Sequence, residues 1–158
     1  MTNPDPDKPL AELVDGGTTV MFGTMTAGRF ESRPLTIAAV DGNRLSILVD
    51  TTSPWVVALS TDSSAHLTVS DTRENTYVSL DGEARVHRDP ATIERLWTPF
   101  AGAFFEGKDD PRLAVLEFDA ESGSYWTAPS GRIGSLVSMV RAKLGGHDDA
   151  GDHGDVAV

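Results

Sequence analysis

Between Thr18 and Asp50 the chain reads "TTVMFGTMTAGRFESRPLTIAAVDGNRLSILVD", a stretch whose period is two and whose breaks are tight turns. It divides into three strands separated by "TAGR" and "VDGNR". The second break contains Asp41-Gly42, a strong hairpin signal because a tight primed turn requires positive φ. In the third strand Leu45, Ile47 and Val49 alternate with Ser46, Leu48 and Asp50. Strands joined this closely leave no room for a crossover helix, so they pair antiparallel. That constraint excludes a parallel α/β sheet at the outset.

The pattern continues downstream. "SAHLTVSD" and "TYVSLDGEARVHRD" are two further strands with "TREN" as the turn between them. In the second, Val78, Leu80, Ala84 and Val86 face one way, and Tyr77, Ser79, Glu83, Arg85 and His87 face the other, with Gly82 allowing a bend. "RLAVLEFD" and "GSYWTA" read as two late strands. Helices are few. "KPLAELVDGG" is a short one stopped by Gly16 and Gly17, and "SPWVVALSTD" starts another with Ser53 as cap and Pro54 at its first position. "DPATIERLWTPFAGAFF" carries the helical stripe Ile93, Leu96, Trp97 and Phe100, capped by Asp89 and ended or kinked at Pro99. "IGSLVSMVRAKLGG" is a final amphipathic helix. Six or seven antiparallel strands with so few helices imply a small barrel, which removes exposed edges.

With 158 residues the chain makes one domain. The expected boundaries are a disordered lead-in over 1–8, a folded body over 9–145 and a disordered acidic tail over 146–158. The absence of cysteine excludes disulfides, thiolate metal sites and cysteine nucleophiles. No apolar run approaches the roughly 18 residues a membrane helix needs. "MTNPDPDKPL" lacks a secretory layout, so a cytoplasmic location is expected. A net charge of -11, with 13 basic residues scattered among 24 acidic ones, argues against nucleic acid as a partner. A small anionic ligand remains compatible if a few cations are placed locally.

Most polar constellations have a plain structural explanation. His66 and His87 lie in different strands with no adjacent Ser-Asp pattern, and His147 and His153 lie in the tail. Asp109 and Asp110 are read as part of a turn closed by Pro111. Neither a dinucleotide fingerprint nor a Walker loop occurs. Two places stand out. Arg33 sits in a strand directly before Pro34, which cannot donate to a ladder and so marks an edge, a bulge or backbone facing a ligand. Arg33 could equally pair with Glu31 or Asp50. The other place is "DTTSPW", Asp50 to Trp55, where hydroxyls, a rigid Pro and an indole leave a strand together.

Taken in order, "SRPL", the D-G turn, "DTTSPW", "NTYVSLDGEARVHRD", "IERLWTPFAGAFFEGKDDPRLAVLEF" and "GSYWTAPSGRIGSL" resemble the general stress protein branch of the pyridoxamine-phosphate-oxidase-like split barrels. The resemblance runs from about Leu10 to Leu144. It implies a mainly β fold with flanking helices, a six-stranded antiparallel split β-barrel that forms a homodimer and binds flavin mononucleotide (FMN). It also implies that Arg33 and the hydroxyls of Thr51, Thr52 and Ser53 hold the phosphate, together with the start of the following helix. Backbone around Pro34, Leu35, Leu48 and Val49 would line the isoalloxazine, and Trp126 and Arg132 would come from the partner subunit. This chain departs from the pattern at two positions. Relatives carry a Lys where Trp55 stands, and losing that cation costs roughly 1.5–3 kcal/mol of phosphate binding. Ala38 stands where the oxidase proper has a second basic residue, so pyridoxamine-phosphate oxidase activity is not expected. The resemblance thus implies an FMN-dependent oxidoreductase, with three alternatives: a flavin-like ligand carrier without turnover, a deazaflavin-dependent oxidoreductase, or a degenerate barrel with no ligand. Trp55 would then stack on the ring or fill the site.

Overall fold

The computed structural model describes residues 8–127 and 153–158. Nine strands and three short helices alternate along them: β1 (Lys8–Pro9), α1 (Leu10–Leu13), β2 (Thr19–Thr26), β3 (Arg29–Thr36), β4 (Ala39–Asp41), β5 (Arg44–Asp50), α2 (Pro54–Ala58), β6 (Ser64–Asp71), β7 (Thr76–His87), α3 (Pro90–Leu96), β8 (Leu113–Thr127) and β9 (His153–Ala157). A 3-10 turn covers Ala101–Ala103. Six strands are long, and β1, β4 and β9 are additions of two, three and five residues. The main sheet runs β1-β9-β8-β7-β6-β2-β3. β8 carries β7 along one edge, and its other edge takes β5, with Leu113 opposite Asp50 and Asp119 opposite Arg44, and β9 near Trp126. No ladder joins β3 to β5 among the described residues, so hydrogen bonds do not close the sheet.

The fold is therefore mainly β with few helices, and its hairpins follow the turn chemistry. Gly42 takes φ 59° between the paired residues Asp41 and Arg44. β2 and β3 meet through Ala27 and Gly28, at φ 49° and 76°, as a two-residue turn with both centres left-handed. The "TREN" loop ends on Asn75 at φ 49°, and the Asp71 carboxylate accepts from the amides of Arg73 and Glu74. Val78, Leu80 and Ala84 are buried on one face of β7, as their alternation predicts. They join Phe22, Leu45, Ile47, Leu67, Leu116 and Phe118 in the main core. On β8, Leu113 and Val115 point the other way and pack against Ile93 and Leu96 of α3. A strand buried on both faces loses its alternation, which explains the unbroken "LAVLEF".

Four expectations change. "RLAVLEFD" and "GSYWTA" are one strand, β8, because a bulge between the Asp81–Ser122 and Gly82–Ala120 pairs leaves Glu121 as an extra residue. The bulge shifts the buried set from even positions, ending at Ala120, to Tyr125, so the sequence shows a false break. Residues 37–38 interrupt what reads as one strand, which separates β4 from β3. The helix expected after Asp89 stops at Leu96. Asp89 does cap it, accepting from the Thr92 amide at 3.0 Å, but Trp97 is already extended and Pro99 bars a restart at Thr98. Finally, the tail is not structureless throughout. His153–Ala157 adds to β8, and Lys8, assigned to the lead-in, pairs with Val156. Val156 is buried beside Gly123, and that apolar contact outweighs the acidic composition around it. The expected helix at 133–144 lies outside the described residues.

The loop before β8 is fastened by one side chain. Asp110, buried, accepts from the Arg112 amide at 2.9 Å, from the Arg112 guanidinium at 2.9 and 3.2 Å, and from the Glu106 amide at 3.0 Å. This is the turn role expected of the Asp109-Asp110 pair. Hydrogen bonds from the Arg112 side chain, then from its amide, hold the Asp110 carboxyl far below the ordinary carboxylate range. No described helix is long and apolar enough to cross a membrane.

Two outcomes follow for stability. Ala27 holds a left-handed conformation that costs a non-glycine residue about 1 kcal/mol, so Ala27→Asn should raise the denaturant midpoint by the equivalent of roughly 0.5–1 kcal/mol. A lower midpoint would show that the hairpin does not depend on that backbone state. Because the folded-state pKa of Asp110 is depressed, its ionic contribution is complete above the unfolded value of about 3.9 and fades as pH falls below it. Asp110→Asn should lower the thermal midpoint at neutral pH, with the gap to the parent narrowing below about pH 4. A gap independent of pH would contradict this.

Candidate functional site

The sheet's unclosed side, where β3 faces β5 without a ladder, opens into a cleft of about 920 Å³. One wall is the backbone and side chains from Pro34 to Ala38, with Gly16, Gly17 and Thr19 beside them. A second is Leu48, Val49 and Asp50 at the end of β5, followed by Ser53 and Trp55. The third is the segment after α3: Leu96, Thr98, Phe100, Ala101, Phe104 and Phe105. Phe100 and Phe104 are 58% and 63% exposed and meet edge to face at 5.2 Å. Asp50 is the single charged residue among the described residues of the lining. Such a cleft suits a flat, largely apolar molecule.

"DTTSPW" forms the turn at one end of this cleft, and the amides of Thr51, Thr52 and Ser53 are partnered within the chain. The Thr51 amide donates to the Arg112 carbonyl at 2.8 Å, and the Ser53 amide to the Asp50 carbonyl at 3.1 Å. Both the amide and the hydroxyl of Thr52 donate to the Asp50 carboxylate, at 2.8 and 2.6 Å. These bonds, hydroxyl first, hold the Asp50 carboxyl below its ordinary value. Ser53 occupies the cap position, but its side chain makes no capping bond. Its carbonyl instead accepts from the amides of Val56 and Val57 at 3.0 and 3.1 Å. Pro54 has no N–H to offer.

Arg33 lies opposite Phe22 across the β2–β3 ladder and points to the core side of the sheet. One terminal nitrogen donates to the Thr24 hydroxyl at 2.8 Å and to the Phe22 carbonyl at 3.1 Å. The other lies 3.9 Å from the Glu31 carboxylate. Trp55 covers the guanidinium, with its ring centroid 4.5 Å from the Arg33 Cζ, and rests on Phe22 at 5.9 Å. The Arg33 side chain is 17% exposed, and burial pulls its pKa down despite Glu31.

Of the residues singled out from the sequence, Pro34, Leu35, Leu48, Val49, Ser53 and Trp55 line the cleft. Arg33 lies behind Trp55, and Thr51 and Thr52 belong to the turn without lining the cleft. Trp126 is 47% exposed, opposite Tyr77 on the sheet face turned away from the core. Arg132 lies outside the described residues. Trp55 both lines the cleft and stacks on Arg33. Sequence reasoning missed the cleft-facing role of Phe100, Phe104 and Phe105, because all of "DPATIERLWTPFAGAFF" reads as one helix; the aromatic density of "FAGAFF" around a Gly was the signal.

His66 also gains neighbours the linear order hides. Its Nδ1 lies 2.7 Å from Asp81 and its Nε2 3.3 Å from Ser79. Pairing of β6 with β7 brings these residues together on an outer face. Asp81 is 71% exposed there, and an orienting carboxylate surrounded by water holds an imidazole weakly.

Comparisons with known proteins find the same fold. A Jannaschia sp. CCS1 structure, assigned by name to general stress protein 26, superposes with a TM-score of 0.73 at 23% identity, covering 92% of this chain and 93% of that one. The general stress FMN/FAD binding protein of Xanthomonas citri superposes with a TM-score of 0.65 at 28% identity, covering 73% of this chain and 83% of that one. General stress protein 26 of Bacillus subtilis (strain 168) is 33% identical over 45 residues, which span 28% of this chain and only 32% of that relative's length. The sequence model of the "Pyridoxamine 5'-phosphate oxidase like" family matches residues 5–149, nearly the whole chain, and the protein belongs to that family.

Proposed function

We propose that this protein binds a flavin-type ligand in the cleft and acts as an oxidoreductase, as a split-barrel homodimer. The observation that carries the proposal is the cleft itself, a slot of about 920 Å³ between the β3 and β5 edges. Its Pro34, Leu35, Leu48, Phe100 and Phe104 walls match a flat aromatic ring system in polarity and size. The Xanthomonas citri relative, FMN/FAD binding by name, supports the same ligand class. A bound flavin supplies hydride or electron transfer, and the protein supplies orientation and a dry environment. Leu35 and Leu48 would support one face of the ring, and Phe100 and Phe104 would shield it from water. FMN is the form expected from the resemblance, with deazaflavin as the alternative cofactor.

Pairing with a second copy accounts for the apolar side chains on the outer sheet face. Met21, Tyr77 and Trp126 are 44%, 38% and 47% exposed there. Trp126 and Arg132 would then complete the neighbouring subunit's cleft. Ala38 offers no charge to a phosphorylated pyridoxamine, so the oxidase reaction of the family's namesake is not proposed. A ligand carrier without turnover is the second reading. It is favoured by the commitment of Asp50, the charged residue on the described walls, to hydrogen bonds with Thr52.

The test is to purify the protein without added cofactor, record its visible absorbance, and titrate it with FMN, riboflavin and a deazaflavin. A saturable flavin spectrum at micromolar ligand, followed by oxidation of a reduced nicotinamide, is the expected result. Binding without turnover would establish the carrier. A colourless protein that ignores every one of these ligands at millimolar concentration would overturn the proposal.

A further inference from the structure

We infer that the phosphate end of the cleft is already filled by the chain's own groups, so that the site holds a flavin-type ring without using a terminal phosphate. The inference rests on the flavin-type reading above and concerns which form of that ligand the cleft takes. A bound phosphate needs several N–H or O–H donors and a nearby cation. In the Asp50–Trp55 turn most of the backbone donors are spent, while the Ser53 hydroxyl, on the cleft wall, makes no capping bond. The amides of Thr51, Thr52 and Ser53, and the Thr52 hydroxyl, all have acceptors within the chain, and Pro54 has no N–H. The anion seated in the turn is the Asp50 carboxylate.

The nearby cations are engaged within the chain as well. Arg33 serves the Thr24 hydroxyl, which is buried at 2% exposure, and the Phe22 carbonyl, and Trp55 closes over it at 4.5 Å. To reach a phosphate with that nitrogen, Arg33 would have to leave a buried hydroxyl unpaired and give up a cation–π stack. Arg112, 3.9 Å from Asp50, is engaged by Asp110 at 2.9 Å. Asp50 itself lines the cleft and repels a second anion there. Its hydrogen bonds from Thr52 favour the charged form, so the repulsion persists at neutral pH. Trp55 is thus a specificity-determining residue: it exchanges phosphate recognition for closure over Arg33.

The test compares FMN with riboflavin, the same ring without the phosphate, by calorimetry on the full chain and on Trp55→Lys. The parent should bind the two within about threefold of each other. Trp55→Lys frees Arg33 and adds a cation, and should shift the FMN-over-riboflavin preference toward FMN by about tenfold or more, with an unchanged far-UV circular dichroism spectrum as the control for folding. A parent that prefers FMN by about thirtyfold or more, with Arg33→Ala abolishing the preference, would overturn the inference.

Inorganic phosphate, followed by phosphorus NMR on the parent and on Trp55→Lys, separates this outcome from failure of the flavin reading. The parent should give no saturable response up to about 10 mM, where a millimolar site would be filled, and Trp55→Lys should give one. That pair of results upholds the inference even if no flavin binds. Saturable phosphate binding by the parent that Arg33→Ala removes, or no gain in Trp55→Lys, overturns it.

Discussion

The double-sided burial of β8 is the constraint on which the rest of the molecule depends. Ala114, Leu116 and Phe118 face the main core, and Leu113 and Val115 hold α3 on the opposite side. Along the same fifteen residues β8 pairs with β7, β5 and β9. The residue just before it, Arg112, both anchors Asp110 and accepts from the Thr51 amide. One strand therefore fixes the end of β5, the turn that follows it and the wall contributed after α3. The cleft is the space these three leave beside β3.

Much of this architecture was legible because the physics acting on it is local. Alternation identified Leu45, Ile47 and Val49 as core, and Gly42 at φ 59° is what an Asp-Gly hairpin requires. Asp89 caps α3 as its side chain and the following Pro suggest. What stayed hidden depends on partners distant in sequence. The Glu121 bulge looks like a strand break until β7 is laid beside it. Val156 looks like part of a solvated tail until the surface of β8 around Gly123 receives it. His66, Ser79 and Asp81 meet only through β6–β7 pairing.

The cleft shows the same division. Pro34, Leu35, Leu48, Val49, Ser53 and Trp55 could be named from motifs, and all line it. Their pairings could not. A sequence gives no sign that Trp55 would spend its face on Arg33, or that Asp50 would take the donors of its own turn. Both follow from the sharp exit of β5, which brings the turn back over the core beside Phe22. Family membership sets the frame of the site, and these few contacts set what the frame can hold.

A crystal structure of the protein soaked with FMN would test this directly. The ring should lie between Leu35, Leu48 and the Phe100–Phe104 pair, with Trp55 still stacked on Arg33 and the phosphate directed to solvent. A phosphate hydrogen-bonded to Arg33 and to the amides of the Thr51–Ser53 turn, with Trp55 swung away, would contradict it.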